Sequence, residues 1–308
     1  MKKAIVTGAN GFIGTSVCKE LLEQRYEVIA VVNHHDENIS GISSIQGIRI
    51  IYCDLSDFIN LADLIPDRDI NILYHFAWVG SAGALRGDID AQIDNVKYTL
   101  DTVKACAAMK CKRFVFAGSI MEYEISVAMA TEKTPGINTL YCSAKLSADY
   151  MARTLAGHLG IKYIRAIISN VYGPGEISPR LVNTSLRKML NNEHCAFSAG
   201  EQLYDFIYIT DAAKIFVAIG EKGKPNKTYY IGNRNPKPLK IFLKEMRNCV
   251  NPQIEIGLGE IPYDGVSLTY KEFNTNAVEE DTGLNPSIGF KEGIYNTIEW
   301  LIAKTLCY

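Results

Sequence analysis

Short, continuous apolar runs alternate along the first half of the chain with longer segments whose apolar residues recur at helical spacing. Ala4-Ile5-Val6 leads into Gly8-Ala9-Asn10-Gly11-Phe12-Ile13-Gly14; residues 12–25 then carry Phe12, Ile13, Val17, Leu21 and Leu22 on one face, and Val28 to Val32 is apolar throughout. This order predicts strand, glycine turn, helix and strand, a βαβ unit. Further runs near 48–52, 70–76, 114–117 and 163–168, separated by helix-length segments near 90–110 and 141–158, continue the alternation. Strands that are apolar without a break are buried on both faces, which calls for a parallel sheet between two helix layers.

The expected fold is therefore α/β, a doubly wound (Rossmann) parallel sheet, followed by a smaller α+β lobe. From about residue 171 the pattern changes. Gly173-Pro174-Gly175 and Ser178-Pro179 break the chain, and Pro225, Pro236, Pro238, Pro252, Pro262 and Pro286 gather towards the C-terminus. Residues 1–170, with about 205–233, are assigned to the dinucleotide-binding domain, and about 171–204 and 234–308 to a substrate-binding lobe.

Composition narrows the partners. The 308 residues include 32 basic and 34 acidic side chains, a formal charge of −2, so no overall cationic field draws a nucleic acid or an anionic membrane. The apolar run after Lys2-Lys3 stops at Thr7-Gly8, too short for a secretory signal, and a cytoplasmic protein is expected. Eight cysteines without a C-x-x-C pair and five histidines without ligand spacing imply reduced thiols and no metal.

Glycines directly between a buried strand and an amphipathic helix form the context of a dinucleotide site, in which the helix N-terminal amides receive a pyrophosphate. Gly8, Gly11, Phe12, Ile13 and Gly14 are the candidates here. At the end of the second strand a carboxylate would hold the adenosine ribose, but the sequence reads Val32-Asn33-His34-His35. That leaves room for a 2′-phosphate beside Asn33 and His34 and favours NADP over NAD, unless Asn33 or Asp36 reaches the ribose.

Tyr141 and Lys145, four residues apart, share one face of a helix, and Ser119 ends the strand that begins at Phe114. A tyrosine is a weak base at neutral pH, but a nearby ammonium favours its phenolate, and a serine hydroxyl steadies the reacting oxygen. Ser119, Tyr141 and Lys145 are thus the candidate catalytic set for hydride transfer with a nicotinamide.

On these residues the sequence resembles the extended short-chain dehydrogenase/reductases, the NAD-dependent epimerase/dehydratase family acting on nucleoside-diphosphate sugars. Residues 7–14 resemble its cofactor loop, Asp54-Leu55 its adenine contact and His75-Phe76-Ala77 the turn beside the cofactor. Asn95 with Thr99-Leu100 resembles its central helix, Asn170-Val171-Tyr172-Gly173-Pro174 its substrate-side turn, and Asp205 to Asp211 a further signature. The resemblance implies that Phe76 and Ala77 line the cofactor, with Tyr141 and Lys145 at the nicotinamide ribose. It also implies a homodimer through a four-helix interface from the segments near 90–110 and 141–158, for which Tyr98, Leu100, Val103 and Met151 are candidates, or equally residues of the intradomain core.

Departures from the family pattern bear on specificity. Its 4,6-dehydratases place an acid pair after the catalytic hydroxyl, where this chain has Ile120-Met121; Glu122-Tyr123 is similar to some 4-ketoreductases. Tyr204 stands where many members have an arginine for the substrate diphosphate, and Arg180, Lys222, Lys224, Lys227 and Arg234 are possible replacements. Met121, Glu122, Asn170, Arg180 and Tyr204, with Ser119, are the expected substrate contacts, and Trp78 is either core or a wall over the sugar. The leading expectation is an NADPH-dependent reductase of a 4-keto-6-deoxy nucleotide sugar. The alternatives are a 4-epimerase with tightly bound NAD and a catalytically silent dinucleotide-binding sensor.

Overall fold

In a computed structural model the chain is described over residues 2–34, 39–131, 136–137, 139–263 and 265–305. Seven strands form one sheet: β1 (Lys3–Thr7), β2 (Glu27–Val32), β3 (Ile48–Tyr52), β4 (Ile72–His75), β5 (Arg113–Ser119), β6 (Lys162–Ile168) and β7 (Thr228–Ile231). Their order is β7-β6-β5-β4-β1-β2-β3, and every neighbouring pair is parallel. Continuous apolar strands produce this arrangement because helices cover both faces. The order reverses at β1, and the carboxyl ends of β1 and β4 there face the place where such sheets bind ligands.

Three long helices set the site: α1 (Phe12–Glu23), α2 (Ile89–Ala108) and α3 (Thr139–His158). Asp88 caps α2 by accepting the Ala91 amide at 2.8 Å, which satisfies one of the unpaired N–H groups of its first turn. Helices α2 and α3 pack on the sheet through Val103, Ala105, Cys106, Ala148, Ala152 and Ala156, all within the core of Phe114, Phe116 and Tyr163. Val103 is therefore a core residue and not part of an exposed helical face; Leu100 also packs against the core, whereas Met151 is 49% exposed.

The chain divides into two units, one of residues 1–168, 213–231 and 274–284, the other of 169–212, 232–273 and 285–308. The sequence placed 274–284 in the second lobe. The helix Ala277–Thr282 is instead tied to the first unit, because Asp281 accepts hydrogen bonds from Lys227 at 2.7 Å and Tyr229 at 2.6 Å and pairs with Lys224 at 2.7 Å. This also removes Lys224 and Lys227 from the candidates for a substrate diphosphate.

The second unit is α+β. Asn170–Tyr172 pairs in parallel with Phe206–Tyr208, Cys195–Phe197 with Ile256–Leu258, and Leu203–Tyr204 runs antiparallel to Lys237–Pro238. Tyr172, Phe206, Phe242 and Phe290 form its aromatic core, with Phe242 and Phe290 centroids 4.8 Å apart. Among the described residues no helix is long and apolar enough to cross a membrane.

Candidate active site

The glycine turn is shaped by close backbone approach. Gly8 has φ +66°, and a Cβ there would lie 2.7 Å from the Ala77 amide nitrogen; a Cβ on Gly14 would lie 2.2 Å from the Gly8 carbonyl oxygen. Glycine is thus required for α1 to start directly against the end of β4. Gly11 begins the helix without any side-chain cap, which leaves the amides of Phe12, Ile13 and Gly14 at a positive helix end, the donor set a pyrophosphate needs.

Beneath this turn His75 is buried between two threonines. Thr99 Oγ1 donates to the Asn95 carbonyl at 2.8 Å, so it accepts from His75 Nε2 at 3.2 Å, and His75 Nδ1 accepts from Thr7 Oγ1 at 2.9 Å. The imidazole is neutral, and burial, helped by the Lys145 charge, pushes its pKa down to about 3. Asn95 completes the scaffold by exchanging two hydrogen bonds with Val79, at 2.9 and 2.8 Å, and so fixes the loop after β4.

At the far end of the turn Asn33 and His34 are exposed. The His34 amide donates to Asp54 Oδ1 at 3.0 Å and its ring Nδ1 lies 3.4 Å from the same oxygen. A carboxylate from the β3 side therefore occupies the corner that lacks an acid on β2, and Leu55 beside it packs on the core. His35 and Asp36 lie outside the described residues.

Ser119 closes β5, and its Oγ accepts the Met121 amide at 3.2 Å, which leaves the hydroxyl proton for another oxygen. Glu122, expected on the substrate side, is turned inward instead. Its Oε1 accepts the Ser119 amide at 2.6 Å and its other oxygen pairs with Arg165; Arg165 Nε lies 2.9 Å from Asp149, which accepts the Tyr163 hydroxyl at 2.7 Å. Burial raises the Glu122 pKa against the pull of Arg165. The inward position is tolerated because Arg165 and the Ser119 amide compensate a carboxylate that would be costly to bury alone.

Tyr141 lies in the first turn of α3 and is 6% exposed. One turn further, the Lys145 ammonium donates to the Ala117 carbonyl at 3.0 Å and sits 3.6 Å from the centre of the Trp78 ring. Burial pulls its pKa down to about 7, while the Glu122 charge acts in the opposite direction. Trp78 also meets Tyr141 edge-on at 6.1 Å and donates to Gln92 at 3.1 Å, so it packs against both candidate side chains.

Arg86, in the short helical turn Ala84–Gly87, was not anticipated from sequence; its guanidinium lies 4.6 Å from the centre of the Tyr141 ring. A lone arginine in an irregular turn carries no sequence signal for this placement.

The remaining candidates lie in the second unit. Asn170 Nδ2 donates to the Asp205 carbonyl at 3.2 Å, Arg180 is 3.4 Å from Glu176 with its side chain 48% exposed, and Tyr204 stacks on Phe206 at 5.7 Å. The Arg234 amide donates to Asp205 at 2.9 Å, so that aspartate organises the turn around Tyr204.

A doubly wound sheet, an uncapped glycine-rich helix start, a half-buried serine and a buried tyrosine and lysine are the parts of an extended short-chain dehydrogenase/reductase. Residues 4–232 match the NAD dependent epimerase/dehydratase family, and the chain belongs to that family. It is 24% identical over 318 residues to human dTDP-D-glucose 4,6-dehydratase, an alignment covering 97% of this chain and 89% of that protein. Among solved structures it is similar to Bordetella bronchiseptica WbmF in complex with NADH, with TM-score 0.82, 20% identity and coverage of 99% and 93% of the two chains. Thermotoga maritima UDP-glucose 4-epimerase with UDP-glucose gives TM-score 0.79, 21% identity and 99% coverage of both.

Proposed function

We propose that this enzyme oxidises and re-reduces one carbon of a nucleoside-diphosphate sugar without elimination, as an NAD-dependent 4-epimerase. The observation that carries the reading is the environment of Ser119. Ile120 and Met121 stand directly after the hydroxyl where an acid pair would drive loss of water, and the next carboxylate, Glu122, is held by Arg165 and the Ser119 amide. The nucleotide-sugar class is supported by the names of the relatives.

A bound nicotinamide would supply a hydride acceptor and donor. Gly8, Gly11, Phe12, Ile13 and Gly14 would hold its pyrophosphate, Asp54 and Leu55 its adenosine, and Phe76 and Ala77 would line its path. Tyr141 takes the proton of the sugar hydroxyl as oxidation begins and returns it after the keto sugar has turned over; the Ser119 hydroxyl holds the same oxygen. Lys145 keeps a positive charge near the phenol and the nicotinamide ribose.

Asp54 beside His34 supports NAD, because a carboxylate there repels a 2′-phosphate. Asn33 at the end of β2 favours the second reading, an NADPH-dependent 4-keto sugar reductase.

The two readings part in one experiment. The protein is purified without added nucleotide and denatured, and the released dinucleotide is identified by mass. About one equivalent of NAD or NADH supports the epimerase, since a cycle that returns its hydride gains from retaining the cofactor; an empty protein that binds NADPH more tightly than NADH overturns it in favour of the reductase. Tyr141→Phe is expected to lower turnover by about 10²–10⁴-fold in either case.

We also place the chain in a cytoplasmic homodimer through the exposed sides of α2 and α3, where Ile93 is 62%, Tyr150 58% and Met151 49% exposed. Light scattering tests it: Ile93→Glu should shift a dimeric mass towards the monomer.

A further inference from the structure

The proton exchange assigned to Tyr141 needs a positive charge that favours the phenolate. The sequence supplies Lys145 for this, but the structure directs that ammonium to the Ala117 carbonyl and the Trp78 ring face. A second cation lies over the phenol ring. The Arg86 guanidinium carbon is 4.6 Å from the Tyr141 ring centre, and its Nε and Nη2 are buried without a hydrogen-bond partner among the described residues. Buried guanidinium nitrogens over an aromatic face interact more strongly than exposed ones, because water does not screen the contact.

Among the described residues, groups facing this pair come from four elements. Helix α3 contributes Lys145 and the Cys142 thiol, the helix Tyr123–Thr131 contributes Glu124, the turn after β5 contributes Glu122, and the loop after β4 contributes the neutral Trp78. Glu122 is committed to Arg165. Glu124 accepts from Cys142 at 3.7 Å and is drawn down by Arg86, while burial raises its pKa overall. Arg86 is always protonated, unlike a buried lysine, so its charge over the ring does not depend on pH.

We infer that Arg86 is a positioning residue for proton exchange at Tyr141, stabilising the phenolate from the ring face while Lys145 serves the ribose side of the same phenol. This rests on the reading of Tyr141 as the proton-exchanging group. It goes beyond that reading because the cation comes from the loop after β4 and not from the Y-x-x-x-K helix.

The test compares Arg86→Met and Arg86→Lys. Ionisation of Tyr141 is followed in the intact protein by ultraviolet difference titration, each protein being referenced to the same protein carrying Tyr141→Phe. Removing a unit charge at this distance should raise the midpoint by about one to two pH units in Arg86→Met, with the alkaline shift repeated in the pH profile of turnover. Arg86→Lys should restore at least half of the shift. An unmoved midpoint in a folded Arg86→Met protein overturns the inference, as does a lysine variant displaced as far as the methionine one. If instead Tyr141→Phe retains turnover, it is the assignment of Tyr141 that fails, and the titration still reports whether Arg86 controls its ionisation.

Discussion

The two halves of the candidate site are built from different materials. The glycine turn is backbone against backbone: Gly8 against Ala77 and Gly14 against Gly8, with one buried neutral histidine below. The corner around Ser119 and Tyr141 is built from charge, with Glu122, Arg165, Asp149, Lys145 and Arg86 within a few side chains of one another. Shape governs the first and charge balance the second, and the two should fail under different substitutions. A Cβ is what the turn excludes, whereas an uncompensated charge is what the catalytic corner excludes.

The largest effect is expected at Glu122. Glu122→Leu leaves Arg165 with Asp149 alone and the Ser119 amide without its acceptor, and should lower stability by about 3–5 kcal/mol in urea unfolding. Glu122→Gln keeps an oxygen for that amide and should lose clearly less; equal losses would mean that shape and not charge holds this corner. Next in size is Gly14→Ala, where the added methyl group meets the Gly8 carbonyl and the turn must open. A loss of about 1–3 kcal/mol is expected, together with loss of dinucleotide binding in a fluorescence titration, whereas Glu122→Gln should bind the dinucleotide normally.

His75 gives a pH-dependent comparison. Its pKa is about 3 in the folded protein and about 6.5 when unfolded, so between these values the unfolded chain carries the extra proton. Its contribution is complete above pH 6.5 and is lost as the pH falls towards 3, at up to about 1.4 kcal/mol per unit. Between pH 7.5 and 5.0 the wild type should therefore lose about 2 kcal/mol more than His75→Gln. Equal losses would show that the buried imidazole is already charged.

The difference between the halves also explains what the sequence made legible. The turn is contiguous: strand, glycines and helix follow one another within residues 3–23, and their spacing carries the geometry. The sheet was legible for the same reason, since each buried strand is a local apolar run. The catalytic corner joins residues far apart in the chain. Ser119 was legible as the end of a strand, and Tyr141 with Lys145 as a pair four residues apart near the start of a helix, but the inward turn of Glu122 depends on Arg165, 43 residues away. Arg86 reaches Tyr141 from an irregular turn with no periodicity to mark it. The tie of Asp281 to Lys224 and Lys227, which moved 274–284 into the first unit, is likewise a long-range charge pairing that local pattern does not encode.

The smallest predicted effect concerns the rim where both materials meet. Asp54 accepts the His34 amide and lies 3.4 Å from its ring nitrogen, at an exposed place where water and salt weaken any charge effect. Asp54→Asn retains an oxygen for the amide while removing the charge that opposes a 2′-phosphate. The ratio of NADP to NAD dissociation constants should fall by a few-fold, corresponding to less than about 1 kcal/mol, and the change should shrink at high salt. Because a ratio is measured, any general weakening from a disturbed adenosine contact cancels. An unchanged ratio would remove Asp54 from cofactor choice and return that choice to Asn33 at the end of β2. The proposal of a retained NAD would then stand only on the released dinucleotide itself.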